Sequence, residues 1–155
     1  MNSKHTIKIK DRLLDERGQS LIEFALILTL VLSLLFGITE FGRAWYYSNV
    51  LTNGVRSGAR YAATLGNNTG FVTKVHDFTV SQVVSSIPQD NIQVVVTAVD
   101  TNNNNKPPNS GLTAGDAVTV TVTYDFNVLS GSIIPFFTGT KTLVREATMR
   151  YELGS

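Results

Sequence analysis

The sequence predicts an α+β protein: a long N-terminal helix, with a membrane half and an amphipathic half, packed on a small antiparallel sheet of about three strands with one short helix. Three observations lead to this prediction. An apolar run follows a charged leader, apolar residues then recur at helical spacing, and the C-terminal third contains strand-like alternation. We therefore divide the chain into a leader (1–18), a long helix (19–66) and an α+β domain (67–155).

The apolar run extends from Leu21 to Ile38, and its only polar residues are Glu23, Thr29 and Ser33. At a rise of ~1.5 Å per residue it spans roughly 27 Å, close to the hydrocarbon thickness of a bilayer. Three aromatic residues follow at 45–47, as in an interfacial belt. A transmembrane helix is thus favoured over a buried core helix, because little else in the chain is large enough to enclose it.

A secretory signal peptide is the other alternative for this run. Such a peptide has a shorter apolar region, followed by a small-x-small cleavage site. The sequence after the run, TEFGRAWYYSNV, offers no such site. The helical pattern also continues beyond it, which favours a retained helix.

Charge and composition predict on which side of the membrane each part of the chain lies, and they exclude several kinds of function. The residues before Gln19 include five basic and three acidic groups, and the rest of the chain has eight basic and nine acidic groups. A basic leader beside one apolar span predicts a cytoplasmic N-terminus and an exported C-terminal domain. Neither half has the basic field of a nucleic-acid-binding protein. Because the chain has no cysteine, disulfides, thiolate metal sites and cysteine nucleophiles are excluded.

The helix is predicted to continue past the membrane as an amphipathic segment. One face is apolar or small, and the opposite face is polar and basic; the first comprises Leu51, Val55, Gly58, Ala59, Ala62 and Leu65, the second Asn49, Asn53, Arg56 and Arg60. The turn-forming residues 66–68, Gly-Asn-Asn, predict the end of the helix.

The remaining sequence predicts one short helix and three strands. The helix begins with Asp77 as its cap and stops at Pro88. The strands lie within 91–100, 117–128 and 142–153. The middle strand alternates most clearly, with one apolar face formed by Val118, Val120, Val122, Tyr124 and Phe126. The amphipathic half of the long helix is the expected cover for that face.

Two loops separate these strands. The first, 101–116, is polar and rich in asparagine. The second, 129–141, is unusually apolar for a loop because it contains Ile133, Ile134, Phe136 and Phe137.

We find no pattern typical of an enzyme or of a cofactor site. His5 and His76 fall on opposite sides of the predicted membrane, so they do not form one metal site. Asp100, Asn102 and Asn104 resemble the start of a calcium loop, but the glycine and the closing glutamate of such a loop are missing. The sequence therefore predicts a non-enzymatic protein without cofactor or metal.

Glu23 is the residue least expected in the apolar run. A carboxylate within a bilayer costs on the order of a few kcal/mol, so it must lie near the interface, be protonated or have a partner. Snorkelling to the cytoplasmic headgroups is the simplest solution. A partner for the carboxylate is the other.

Two further pairs on the helix allow both a structural and an assembly role. Glu40 and Arg43 are three residues apart, which favours an ion pair within the helix over a pair with another subunit. Gly54 and Gly58 form a small-xxx-small pair. Outside the membrane this spacing favours close approach of the sheet to the helix over dimerisation.

The segment RGQSLIEFALILTLVLSLLFGITEFGRAWYYSNVLTNGVRSGARYAA, residues 17–63, resembles the N-terminal signature of the TadE/TadG-like pseudopilins of tight adherence (Flp) pili. The resemblance lies in the Arg-Gly-Gln start, the Glu23–Phe24 pair, Gly-x-x-Glu-x-Gly-Arg around Glu40 and Arg43, and Gly-Ala-Arg-Tyr-Ala-Ala from Gly58. It implies cleavage between Gly18 and Gln19 by a prepilin peptidase. It also implies that Glu23, followed by Phe24, attracts the new amine of a neighbouring subunit. That pairing would fix the axial register of the two helices during assembly.

The function that this resemblance implies is that of a minor pilin or pseudopilin precursor. Its partners are then the prepilin peptidase, other pilin subunits, the pilus assembly machinery and membrane lipid. Its place is the cytoplasmic membrane, as a single-pass protein, or an extracellular pilus after assembly. The alternative is a bitopic membrane protein that keeps its leader and uses the exported domain for binding or sensing.

Overall fold

The computed structural model describes residues 3–65, 69–109, 111–128 and 139–152, with side chains from residue 18 onward except that of Gln89. The chain forms two compact units, Met1–Phe41 and Gly42–Ser155. We refer to the second unit as the sheet domain. The predicted fold class is confirmed: a long helix and a second helix accompany a four-stranded antiparallel sheet.

Helix α1 comprises Ser3–Thr64. No proline interrupts it, and its start at Ser3 precedes the predicted start at residue 19. In the sheet domain its buried positions recur at intervals of three or four residues, as predicted; they are Leu51, Val55, Ala59 and Ala62. The predicted helix stop at residues 66–68 lies outside the described residues.

Helix α2 comprises Phe71–Val84 and begins earlier than predicted. Gly70 precedes it with a φ of 81°, a left-handed backbone that glycine adopts without strain. The Val72 N–H, one of the free donors of the first turn, donates to Asn109 Oδ1 at 3.0 Å. The prediction that Asp77 caps this helix is wrong, because Asp77 lies inside it. Its start is fixed instead by Gly70 and by the buried Phe71.

The sheet has the strand order β2-β1-β3-β4, with every neighbouring pair antiparallel. The strands are β1 (Ile92–Val99), β2 (Asn105–Lys106), β3 (Ala117–Asn127) and β4 (Thr140–Arg150). The three predicted strands are present. The two-residue β2, however, lies inside the segment predicted as a loop. A short 3₁₀ helix, Gln89–Asn91, precedes β1.

Residues 129–138 of the second predicted loop lie outside the described residues. They include its apolar residues Ile133, Ile134, Phe136 and Phe137. The prediction made for them therefore stays a prediction.

The core lies between α1, α2 and the inner face of the sheet. On β3 the predicted apolar face is buried, from Val118 to Phe126 at every second residue. Leu51 and Val55 of α1 cluster with the C-terminal half of β3, whereas Ala59 and Ala62 cluster with its N-terminal half. Helix α1 therefore runs along β3 in the opposite direction.

Backbone hydrogen bonds of the residues after β4 hold the end of α1 close to the start of β3. The Glu152 N–H donates to the carbonyl of Ala63 at 3.1 Å, and the Tyr151 N–H donates to the carbonyl of Asp116 at 2.7 Å. Tyr151 is buried and its ring packs edge-on against Phe71 of α2. The residues after β4 thus connect the end of α1 to the start of β3.

Candidate functional site

The first part of α1 has the properties of a membrane span. Within the described part of the chain, the segment Gly18–Thr64 is the one helix long and apolar enough to cross a bilayer. None of its most apolar window is buried by the rest of the protein. Apart from the half-buried Phe36, the large apolar side chains from Leu21 to Phe41 are exposed. A core helix would be enclosed, so the apolar run does not serve as the core of this chain.

The predicted cleavage site lies within regular helix. Gly18 and Gln19 are both helical, and a Cβ added at Gly18 would meet no atom within 4 Å. Gln19 Nε2 donates to Glu23 Oε1 at 3.2 Å, one helical turn away. Glu23 and Phe24 are exposed. Within one chain, the side-chain partner described for the Glu23 carboxylate is thus the amide of Gln19.

Arg43 lies in an aromatic cluster at the start of the sheet domain. Its guanidinium lies 5.0 Å from the ring centre of Phe126 and 5.8 Å from that of Tyr47. Tyr47 in turn packs edge-on against Tyr124 and Phe126. Burial raises the pKa of Tyr124, the nearby Tyr47 raises it further, and Arg43 opposes both. This contact of Arg43 with rings of β3 could not be inferred from its spacing to Glu40, and the Glu40–Arg43 pair stays a prediction.

Gly54 and Gly58 allow α2 to approach α1 closely. A Cβ at Gly54 would collide with Cγ2 of Val83, and a Cβ at Gly58 would collide with Oγ1 of Thr79. Val83 and Thr79 are fully buried residues of α2. The expectation that these glycines make room for the sheet is therefore wrong: they make room for a helix. The reason is that α2, rather than a strand, lies over this side of α1.

Sequence reasoning missed an ion pair between the half-buried Lys106 of β2 and the buried Asp116 just before β3. Asp116 Oδ2 accepts a hydrogen bond from Lys106 Nζ at 2.6 Å and another from the Thr113 N–H at 2.7 Å. The Thr113 hydroxyl donates to the same oxygen at 3.1 Å. These bonds, led by that from Lys106, lower the pKa of Asp116 although burial opposes them. Lys106 and Asp116 are ten residues apart in the sequence, so no local sequence pattern predicts that they pair.

The asparagine-rich segment forms a turn in which backbone N–H groups donate hydrogen bonds to the carboxylate of Asp100. Asp100 Oδ1 accepts hydrogen bonds from the N–H groups of Asn102 and Asn104, both at 2.8 Å. Asn104 Nδ2 donates to the other oxygen at 3.1 Å, and Asn103 has a φ of 65°. The bonds from Asn104, the largest contribution, and Asn102 lower the pKa of Asp100. Among the described residues, no group of three or more His, Cys, Asp or Glu side chains is placed to hold a metal.

These features define a class: a protein with one membrane-capable N-terminal helix that continues into a helix-on-sheet domain. The family model of TadE-like proteins matches residues 18–60. In this segment the chain is similar to TadE-like proteins. The segment contains all eight residues that the sequence singled out, from Gly18 to Gly58. No curated protein and no solved structure matches the chain.

Proposed function

We propose that the protein is a minor pilin or pseudopilin of a tight adherence pilus, cut after Gly18 and assembled through its N-terminal helix. The match to the TadE-like family is the observation that carries this proposal, and it begins at Gly18. The uncovered apolar half of α1 supports it too. Such a surface is stable in lipid or against the helices of other subunits, but not in water.

Gly18 supplies a weak point in the helix at the proposed cut. Glycine in a helix interior costs roughly 1 kcal/mol relative to alanine. A peptidase that binds its substrate as an extended chain must unwind α1 locally, and this is easiest at Gly18. Among the described residues no atom lies within 4 Å of a Cβ added at Gly18, so no described side chain blocks the proposed scissile bond.

The proposed role of Glu23 follows from its surroundings. Its oxygen Oε1 receives one hydrogen bond from the neutral amide of Gln19, so its charge is left uncompensated by that contact. Cleavage would turn Gln19 into an N-terminus with a positive amine. A carboxylate and an amine that each cost energy in lipid offset one another when two helices pack in one register.

The cut is tested on the protein purified from membranes of cells that make the cognate peptidase. We expect an intact mass that lacks Met1–Gly18 and an N-terminus that reads QSLIEF. A Gly18→Leu variant should remain uncut, with an unchanged near-ultraviolet circular dichroism spectrum from the sheet domain. A wild-type chain that still carries its leader would instead support the bitopic binding protein.

The role of Glu23 is tested separately by Glu23→Leu. This variant should be inserted and cut normally, yet co-purify with fewer partner pilins and give fewer pili. Thr29→Leu is the matched control, because it removes another polar residue from the same apolar run and should leave pilus output unchanged. Wild-type pilus output from Glu23→Leu would show that Glu23 only reaches the headgroups.

Orientation is tested with fusions to the C-terminus. An alkaline phosphatase domain after Ser155 should be active, since this enzyme folds only after export. A cytoplasmic reporter at the same position should be inactive. The reverse result would place the sheet domain in the cytoplasm and exclude a pilin function.

A further inference from the structure

One face of α1 in the sheet domain is exposed, because both α2 and the sheet lie on its other sides. It forms a straight ridge of four polar residues: Asn49, Asn53, Arg56 and Arg60. From residue 42 to residue 65 the helix has three arginines and no acidic residue. Within the described part of the chain, no hydrogen bond or ion pair engages the side chain of Arg56 or Arg60. We call these four residues the basic ridge.

The outer face of the sheet has the opposite charge at its centre. The register places Val95, Thr121 and Glu146 in one row across three strands. The next row contains Gln93, Thr123 and Val144. Val95 and Val144 are 52% and 49% exposed, and Glu146 is exposed. This outer patch is thus a surface of β-branched residues with an acid, and no element of the described chain covers it.

The ridge and the patch lie on opposite sides of the same domain. The ridge faces away from the sheet, since the buried stripe of α1 faces β3. The side chains of the outer patch alternate with the buried ones of β3 and therefore face away from α1. A two-fold contact would bring arginine to arginine or Glu146 to Glu146. A contact between unlike faces pairs opposite charges instead.

The two surfaces also match in position along the domain. Val55 of α1 clusters with Val122, and Ala59 clusters with Val118 and Val120. Arg56 and Arg60 therefore lie at the level of residues 118–122 of β3. Glu146 pairs with Thr121 and lies at that same level. A copy shifted along the normal of the sheet would bring its ridge arginines over Glu146.

We propose that the sheet domains of neighbouring copies of this chain stack in one direction, the basic ridge of one on the outer patch of the next. Such a shift keeps every α1 pointing the same way, as helices in a shared membrane require. In this respect it rests on the membrane anchoring of the proposed function. Because the contact joins unlike faces, it leaves a free ridge at one end of the stack and a free patch at the other, so it can repeat.

Cysteine cross-linking of the full chain in membranes tests this contact, because the natural chain has no cysteine. Two differently tagged copies are co-expressed, one with Asn53→Cys and the other with Val144→Cys, and are oxidised with copper phenanthroline. We expect a disulfide-linked heterodimer. The control pair is Asn53→Cys with Asn102→Cys, since Asn102 is exposed in the β1–β2 turn outside the patch. Cross-linking of the control pair with equal yield would overturn the proposal, and so would no cross-linking of the first pair.

Charge reversal then tests whether the ridge and Glu146 meet. In the same cysteine pair, Arg56→Glu with Arg60→Glu should lower the yield roughly threefold, since exposed ion pairs are individually weak. Adding Glu146→Arg should restore it, whereas Lys141→Glu in place of this change should not. Failure of the rescue would overturn the proposal. Pilus output and the N-terminal mass report on the proposed function independently of the cross-link.

Discussion

The two parts of α1 have similar helical backbones but opposite surroundings. From Leu21 to Phe41 its large apolar side chains, apart from the half-buried Phe36, are exposed, and glycines such as Gly37 have no neighbour within 4 Å of an added Cβ. In the sheet domain, Leu51 and Val55 are fully buried, and Gly58 is covered by Thr79. The same residue types therefore have different roles. In the first part no other part of the described chain covers them, and in the second they pack against α2 and the sheet.

This comparison predicts that contacts made after residue 42 determine the stability of the protein. Asp116→Ala should have the largest effect, because it leaves Lys106 and the Thr113 N–H without their shared acceptor. We expect a loss of about 3 kcal/mol in the free energy of unfolding. Chemical denaturation of the full chain in detergent measures it, monitored by near-ultraviolet circular dichroism. Asp77→Ala, an exposed aspartate on α2, is the control and should change little. Equal losses in both variants would contradict a special role for the buried pair.

Glycine substitutions compare the two parts of α1 directly. Gly58→Val places a branched side chain against Thr79, whose hydroxyl already donates to the carbonyl of Val75. The resulting overpacking should cost about 2 kcal/mol. Gly37→Val, in the apolar part, should cost little because no atom is near it. Denaturant midpoints of the two variants in the same detergent distinguish them. Equal midpoints would mean that α1 and α2 separate at little cost.

Acid should weaken the sheet domain through Asp116. Its pKa in the folded protein lies below the ordinary 3.8, mainly because of the hydrogen bond from Lys106. Between these two pKa values the unfolded chain binds more protons than the folded one. The stabilisation is therefore complete above pH 3.8 and is lost as the pH falls through the folded pKa. Denaturation midpoints from pH 6 to pH 2 should fall less steeply in Asp116→Asn than in the natural chain. Because Asp100 shifts in the same direction, part of the slope should remain.

The smallest expected effect lies in the β1–β2 turn. Asn103 has a φ of 65°, a conformation that asparagine tolerates and valine does not. Asn103→Val should cost about 1 kcal/mol, whereas Asn103→Gly should be neutral or slightly stabilising. Hydrogen exchange of the amides that pair β1 with β2 measures the local effect. Identical exchange in both variants would show that the backbone of this turn is not constrained.

Periodicity was enough to predict much of the fold. The spacing of Leu51, Val55, Ala59 and Ala62 predicts the buried stripe of α1, and the alternation from Val118 to Phe126 predicts the inner face of β3. Both patterns are long and are buried against other elements, so the local sequence records the packing. The sequence pattern did not predict the first turn of α2. The start of this helix depends on the packing of Phe71 against α1 and on the left-handed backbone of Gly70. Neither belongs to the pattern that begins at Asp77.

Other features depend on partners that are distant in sequence. Strand β2 has only two residues, and its lysine pairs with an aspartate ten residues away. The spacing of Gly54 and Gly58 predicts that another element packs closely against them. It does not predict whether that element is a helix or a strand. The sequence shows only that Glu23 is an acid within an apolar run and that Gly18 is a glycine just before it. Their roles in cleavage and register come from the family resemblance and remain predictions.

The direction of α1 along β3 determines how the sheet domain would respond to a mechanical load. Because α1 runs along β3 within the sheet domain, a pull applied at residue 42 along the helix axis acts on this contact. The force then loads the contact between α1 and the sheet in shear, across the whole length from Leu51 to Ala62. Close-packed interfaces transmit strain and yield collectively, so this direction should resist more force than peeling. The bond from Glu152 to the carbonyl of Ala63 lies at the far end of this path. Optical-tweezer unfolding should therefore require more force when the domain is pulled from residue 42 against Glu152, at opposite ends of the contact, than from residue 42 against Val128, at the same end.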